Sequence, residues 1–169
     1  MVVASGLPRT QFIAVDATSI YLTALEQRTS GYIGVVLKMP LAGGMPTILA
    51  DAQTEPKGIA VDATSIYWAD FNARVLRKMP LAGGPVTTLG SDLHSPFGVA
   101  VNASRIYFTS VNDGAVMTMP FGGGAPTTIG SASGRGGGST GIAITANSAI
   151  RCNRRAFPLR ADRATMMDQ

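Results

Sequence analysis

Short apolar runs alternate with clusters of turn-forming residues through most of this chain. In one stretch, the apolar run at residues 58–62 ends in Asp-Ala-Thr-Ser, and Ile-Tyr-Trp-Ala follows at 66–69. Residues 74–81 alternate in polarity, Ala-Gly-Gly-Pro makes a turn, and a last run occupies 86–89. β-Branched and aromatic residues favour a pleated surface, while Asp, Thr and Ser bond the nearby backbone in turns. The pattern predicts four antiparallel strands joined by tight turns.

The same pattern occurs three times. One shared motif, Ile-Ala-Val-Asp-Ala-Thr-Ser-Ile-Tyr or a close variant of it, lies at residues 13–21, 59–67 and 99–107. A second motif, Met-Pro-Leu-Ala-Gly-Gly or Met-Pro-Phe-Gly-Gly-Gly with one preceding residue, lies at 38–44, 78–84 and 118–124. Consecutive copies of the second motif are 40 residues apart. A repeat at a fixed period indicates a repeated structural unit.

Four strands in about 40 residues are typical of a β-propeller blade, whose small sheet buries both faces against its neighbours. We therefore predict an all-β protein with four-stranded antiparallel blades. Ala60, Ala100 and Ala143 would lie in the innermost strands, where bulk is least tolerated. Helical repeat arrays are excluded because no stretch of the unit has a helical period, and a parallel β-helix is disfavoured because its coils need no hairpin turns.

The quoted motifs resemble those of a known group. Pro-x-Gly-Ile-Ala-Val-Asp at 56–62, followed by Ile-Tyr-Trp-Ala-Asp at 66–70, is similar to the YWTD repeat of the low-density-lipoprotein-receptor class and its NHL-like relatives, including bacterial surface or lipoprotein repeats. The resemblance covers residues 2–145. It departs from YWTD at two positions, since Thr is present only as Thr23 and Thr109 and Asp only as Asp70. The resemblance implies a propeller that serves as a binding scaffold, a sensor or, in some members, a lyase or hydrolase.

The repeats divide the chain into three complete blades with partial blades at the ends. The predicted segments are an outer strand and loop at 1–8, blades at 9–50, 51–90 and 91–130, the start of a fourth blade at 131–150, and a basic unpatterned tail at 151–169. This predicts an open arc or a fragment of a larger propeller, which could form homo-oligomers through its exposed terminal blades. The alternative is a closed four-bladed ring, completed by an outer strand at residues 2–5.

The tail carries most of the excess charge. Five of the 14 Lys and Arg residues lie in the last 19 positions, so the tail is +3 and residues 1–150 are +1. An incomplete or frameshifted reading frame, a degenerate fourth blade and a basic arm for nucleic acid would each produce such a tail. The last is disfavoured because interleaved aromatic residues are missing, and phosphate contacts alone are unspecific.

Composition excludes several other classes. Hydrophobic residues at 46% and charged residues at 14% fit a globular chain. No 18-residue apolar run or signal peptide occurs, although the resemblance implies an exported or cell-surface protein and the compartment stays open. Cys152 is the only cysteine and has no companions in metal-ligand spacing, so no cofactor is predicted.

Candidate binding residues lie in the loops of one face. In a propeller, the loops between strands 4 and 1 and the turns between strands 2 and 3 share a face that usually carries ligands. Two insertions map there, at residues 25–31 and within 130–139. The polar residues of this face, predicted to bind a protein, a carbohydrate or a peptide, are Glu26, Arg28, Asp70, Asn72, Asp92, His94, Asn112 and Asp113.

His94 is the single histidine and a weak catalytic candidate. As a general base it would need a carboxylate beside it, from Asp92 or Asp113. A solvated loop histidine is the favoured interpretation. A propeller lyase of the streptogramin-degrading kind would need more than one histidine over the channel.

Three other features have structural interpretations. Asp16, Asp62 and Asn102 repeat at one place and could ligate calcium, but a turn-bonding role is favoured. The Gly-rich stretch at 134–140 lacks the ending of a phosphate loop and is interpreted as a connector. The motif methionines at 39, 79 and 119 are expected in the core. The predicted function is therefore a non-catalytic binding module, with a propeller enzyme or a partial reading frame as alternatives.

Overall fold

The computed structural model describes residues 5–131, 141–144, 149–152 and 155–158, and these form strands, turns and loops without a helix. The first sheet, blade 1, contains β1 (Arg9–Val15), β2 (Ser19–Arg28), β3 (Gly31–Pro40) and β4 (Thr47–Gln53). Blade 2 contains β5 (Pro56–Val61), β6 (Ser65–Asp70), β7 (Val75–Pro80) and β8 (Thr87–Gly90). Blade 3 contains β9 (Pro96–Val101), β10 (Arg105–Ser110), β11 (Ala115–Pro120) and β12 (Thr127–Ser131). A fourth sheet contains β13 (Ile142–Ile144), β14 (Ala149–Cys152) and β15 (Arg155–Pro158).

Each sheet is a meander in which every strand pairs antiparallel with the next. The innermost strands pack side by side in the order β1, β5, β9 and β13. Among the described residues, β13 does not pack against β1 as the neighbouring innermost strands pack against each other, so the sheets form an open arc. The predicted all-β, propeller-type fold is confirmed. None of the described residues belongs to a helix that could cross a membrane.

The fourth sheet extends further than the repeat pattern indicated. β15 lies entirely within residues 151–169, the range predicted as an unpatterned tail, and β14 crosses the predicted boundary at residue 150. These two strands pair through backbone hydrogen bonds, which do not require the aromatic and Met-Pro motifs. Of the predicted outer strand at 1–8, residues 5–8 form no strand, and residues 1–4 lie outside the described part.

Alternate side chains of β6 face opposite neighbours, which explains the adjacent apolar residues in its sequence. Trp68 lies in the cluster shared with blade 1, and Tyr67 lies in the cluster shared with blade 3. Both are almost fully buried. A third cluster on the other side of blade 1 buries its two middle strands, whereas Ile13 and Val15 of β1 remain 61% and 55% exposed. The motif methionines at 39, 79 and 119 are buried in these three clusters.

The turn after each innermost strand is held by one Asx side chain. Asp16 accepts hydrogen bonds from the backbone nitrogens of Thr18 and Ser19, both at 2.7 Å, and from the Tyr21 hydroxyl at 2.8 Å. The backbone hydrogen bond from Thr18, together with that from Tyr21, lowers the pKa of Asp16 to about 2. Asp62 has the same set of donors in blade 2. The repeated Asx position therefore has a turn-bonding role, and no cluster of acidic, His or Cys residues in the described chain could hold a metal.

At Gly58 the backbone of β5 lies directly against the backbone of β9. A Cβ at this position would lie 2.6 Å from the backbone nitrogen of Val99 and against the carbonyl oxygen of Phe97. The three alanines predicted to lie where bulk is least tolerated are not all enclosed. Ala60 is buried, but Ala100 is only partly buried and Ala143 is exposed. Glycine at 58, rather than alanine at 60, allows blades 2 and 3 to meet.

We expect Gly58→Ala to destabilise the protein by about 1–3 kcal/mol, because the added methyl group overlaps backbone that cannot rotate away. Gly122→Ala is the matched control, since a Cβ there meets no atom within 4 Å. Urea unfolding measures both free energies, and equal stability of the two variants would contradict this description of the interface.

Candidate functional site

The connections between blades and the turns after each second strand form one surface, here called the loop face. It contains the β4–β5 and β8–β9 loops together with the β2–β3, β6–β7 and β10–β11 turns. Backbone hydrogen bonds join loop to turn, from Phe71 to the Glu55 carbonyl at 3.0 Å and from Val111 to the Ser95 carbonyl at 3.1 Å. The loops and turns predicted to share a face are thus in contact.

Asp70 serves as an internal support of the loop face. Its side chain is fully buried and accepts hydrogen bonds from the backbone nitrogens of Thr54, at 3.0 Å, and Glu55, at 2.8 Å. The Nε of Arg77 lies 3.7 Å from Asp70 Oδ2. The carboxylate is therefore occupied by the β4–β5 loop, and a ligand on the surface would not reach it.

Ser110 holds the same place in blade 3 with different chemistry. Its hydroxyl oxygen lies 2.5 Å from the carbonyl oxygen of His94 and 2.6 Å from Asp113 Oδ2. The single hydroxyl hydrogen serves one of these acceptors at a time. Hydrogen bonds from Ser110 and then His94 lower the pKa of Asp113, so this carboxylate is charged at neutral pH.

His94 pairs with Asp113 rather than with Asp92. The distance from His94 Nδ1 to Asp113 Oδ1 is 2.9 Å, and the two side chains are 60% and 40% exposed. A carboxylate at Nδ1 orients an imidazole, which is one half of a general-base arrangement. A general base also needs a neighbouring group whose proton it can take. Among the described residues, the nearby Ser110 hydroxyl does not have this role, because it bonds the His94 carbonyl oxygen and the Asp113 carboxylate and not the imidazole.

In blade 1, the insertion at residues 25–31 was predicted as a loop but lengthens a hairpin instead. β2 and β3 stay paired as far as Arg28 and Gly31. Arg28 donates to both carboxylate oxygens of Asp51, at 2.9 and 3.0 Å, and to Glu26 at 2.8 Å. One guanidinium nitrogen thus meets both oxygens of Asp51 while Nε bonds Glu26, which orients the guanidinium at the hairpin end, although an exposed ion pair stabilises by only about 0–1 kcal/mol. The second insertion lies largely in residues 132–140, outside the described chain, as does the Gly-rich stretch at 134–140.

Three of the exposed predicted residues have side chains that are available to a ligand. The side chains of Asn72, Asp92 and Asn112 make no hydrogen bond to the residues that the structure describes. In the same region, Arg74 donates to the backbone carbonyl oxygens of Leu93, at 3.1 Å, and Asp92, at 3.4 Å. The surface therefore combines a hydrogen-bonded backbone with unoccupied polar side chains.

Sequence reasoning missed a contact network at the start of the innermost strands. Lys57 of blade 2 bonds Glu55 at 2.9 Å and Gln11 of blade 1 at 3.2 Å, and its ammonium lies 5.8 Å from the ring centre of Phe97 in blade 3. Gln11, Lys57 and Phe97 stand two positions before the repeated Ile or Val of each unit. Aligning the units at that position would have shown that three different residue types meet near the axis.

Comparisons with known proteins agree on the architecture. No family model matches the chain, and no curated protein is a significant match. Among solved structures, the chain is 21% identical to a chain of a nidogen/laminin complex, with a TM-score of 0.67 and coverage of 86% of this chain and 55% of that one. The likeness shows a shared β-propeller fold.

Two further structures share this propeller fold. A streptogramin B lyase is 15% identical, with a TM-score of 0.66 and coverage of 93% of this chain and 57% of the lyase. Regucalcin from Agrobacterium tumefaciens, a calcium-binding protein, is 17% identical, with a TM-score of 0.63 and coverage of 78% and 48%. The chain thus spans about half the length of each of these three neighbours.

We expect Asp70→Asn to lower the free energy of unfolding by about 1–3 kcal/mol, because an amide NH₂ would then face a buried backbone N–H. Asp92→Asn makes the same chemical change at an exposed side chain and should cost less than about 0.5 kcal/mol. Chemical denaturation of the two variants tests the assignment, which fails if Asp70→Asn is as stable as the wild type.

Proposed function

We propose that this chain is a non-catalytic binding module that holds a protein ligand on its loop face. The observation that carries the proposal is the contrast between a fixed backbone and free side chains. Asp70 and Ser110 tie the inter-blade loops to the neighbouring turns, while Asn72, Asp92 and Asn112 are left exposed. A surface that is ordered before binding loses little conformational entropy when a ligand docks.

Two arguments favour a protein ligand: the charges on the surface and the similarity to a solved structure. Residues 1–150 carry a net charge of only +1, which gives little attraction for nucleic acid. The loop face displays mixed charges, with Arg28, Glu26 and Asp51 on blade 1 and His94 and Asp113 on blade 3. Such a surface favours a partner of complementary polar pattern. The nidogen/laminin neighbour, solved as a complex of two proteins, supports this choice by analogy. A carbohydrate or peptide ligand is the alternative on the same face.

An enzyme is the second candidate function, and the His94–Asp113 pair is the observation that favours it. An imidazole oriented by a charged carboxylate could abstract a proton from a bound substrate. The streptogramin B lyase neighbour shows that a protein of this fold can be an enzyme. Against this candidate stands the geometry of the described residues, in which the nearby Ser110 hydroxyl bonds the His94 carbonyl oxygen and Asp113 rather than the imidazole, and no second imidazole lies beside His94.

We predict that the triple variant Asn72→Ala, Asp92→Asn, Asn112→Ala keeps the fold and loses partner binding. None of the three side chains makes a hydrogen bond within the described structure, so stability should change little. The measurement is cross-linking and affinity capture from the native source, followed by biolayer interferometry with the captured protein. The matched control changes exposed residues at the opposite end of the blades, Ala17→Ser and Ala42→Ser.

Loss of binding in the triple variant alone supports the proposal, whereas equal binding by both variants would overturn it. His94→Ala separates the two candidate functions. A binding module should lose less than about tenfold in affinity, because an exposed imidazole pair contributes about 0–1 kcal/mol. A hundredfold or greater loss of turnover on a lyase or hydrolase substrate would instead establish the enzyme.

A further inference from the structure

A cleft opens between blades 2 and 3 at the end of the blades opposite the loop face. Its volume is about 470 Å³, within the range of sites for small molecules. The β5–β6 and β9–β10 turns supply its sides, and the first residue of the β11–β12 turn supplies an aromatic ring. The lining residues are Val61, Asp62, Ala63, Thr64, Val101, Asn102, Ala103 and Phe121.

Asp62 contributes an acceptor that is only partly used. Its Oδ1 accepts from the Thr64 nitrogen, the Thr64 hydroxyl and the Ser65 nitrogen, whereas its Oδ2 accepts, among the residues that the structure describes, only from the Tyr67 hydroxyl, at 2.7 Å. Burial opposes ionisation of Asp62, but the hydrogen bond from Tyr67 and those from the turn outweigh it and lower the pKa. A charged carboxylate oxygen with one bound donor can accept another.

Asn102 contributes a donor at the equivalent position of blade 3. Its Oδ1 accepts from the nitrogens of Ser104 and Arg105, both at 2.9 Å, and its Nδ2 donates to the Tyr107 hydroxyl at 3.2 Å. The amide NH₂ has two hydrogens, and the second has no acceptor among the described residues. The two sides of the cleft therefore offer one free acceptor and one free donor.

Phe121 gives the cleft a flat apolar wall. Blades 1 and 2 have Leu41 and Leu81 at this motif position, so the ring is particular to blade 3. The Phe121 ring centre lies 5.5 Å from that of Tyr67, and the Lys78 ammonium lies 6.0 Å from it. The Lys78 ammonium also lies 5.4 Å from the ring centre of Tyr67, whose hydroxyl bonds Asp62, so a cation is already close to this carboxylate and the cleft does not require a charged ligand.

We propose that this cleft binds a neutral hydroxyl-bearing ring, the chemistry of a monosaccharide unit. The C–H face of such a ring packs on Phe121 with Val61 and Val101, while its hydroxyl groups donate to Asp62 and accept from Asn102. A hydroxyl group is both donor and acceptor, which matches the two free positions of the cleft. This site is separate from the loop face, so it does not depend on the proposed protein ligand.

Titration of ¹⁵N-labelled protein with D-glucose, D-galactose, D-mannose and N-acetyl-D-glucosamine, followed by amide NMR shifts, tests the proposal. At least one sugar should shift the amides of residues 62–64, 102–104 and 121–122 and leave those of the loop face unmoved. Asp62→Asn and Phe121→Leu should each weaken that binding tenfold or more. Both replacements copy the residue that another blade has at the same position, Asn102 and Leu81, so the fold should tolerate them.

Asp16→Asn is the matched control, because Asp16 makes the same turn bonds but does not line the cleft. It should lose stability as Asp62→Asn does and keep the affinity of the wild type. If Asp62→Asn fails to fold, Phe121→Leu alone decides the outcome. The proposal is overturned if none of the four sugars shifts the cleft amides, or if Asp16→Asn weakens binding as much as Asp62→Asn.

Discussion

Burial of both faces of each middle strand is the constraint on which the rest of this structure depends. β6 directs Trp68 toward blade 1 and Tyr67 toward blade 3, and both rings are almost fully buried. A single four-stranded sheet could not bury two such faces alone, so each blade requires neighbours on both sides. Because the innermost strands must converge for this packing, residue 58 is a glycine where β5 lies against the backbone of β9.

Apolar packing between the blades does not fix the loops that connect them, and polar contacts hold these loops instead. Asp70 does this with two backbone N–H groups, and Ser110 with a carbonyl group and Asp113. A carboxylate therefore holds the inter-blade loop at blade 2, and a hydroxyl group holds it at blade 3. Blade 1 has Ala24 at this position and an extended hairpin with the Arg28–Asp51 pair instead. Variation at a repeated position therefore gives each blade a different surface on the same scaffold.

The fold could be predicted from the sequence because its determinants are local and repeated. Turn residues such as Asp62 specify hairpins within a few positions, and three copies of the unit make the period certain. β14 and β15 could be expected only as part of a degenerate fourth blade, one of three alternatives, because their pairing rests on backbone hydrogen bonds between strands that lack the repeat motifs. The sequence also predicted contact between loops and turns of one face without predicting which side chains would be buried there.

The candidate sites were less predictable because they depend on contacts between distant segments rather than on local sequence. Asp70 looks like an exposed loop residue in the sequence, and only the approach of the β4–β5 loop shows that it is buried. The pairing of His94 with Asp113 rather than Asp92 depends on the path of the β8–β9 loop over the β10–β11 turn. The cleft beside Phe121 requires two neighbouring blades, and no pattern within one repeat describes the space between repeats.

Residue-resolved amide hydrogen exchange tests most directly the claim that the loop face is an ordered part of the fold. The amides of Thr54, Glu55 and Val111, which donate to Asp70 and Ser95, should exchange nearly as slowly as those of the middle strands. The amides of Asn72 and Asn112, exposed at the tips of the turns, should exchange rapidly. Rapid exchange at all five positions would show that the loops are not held by these contacts and would contradict the account.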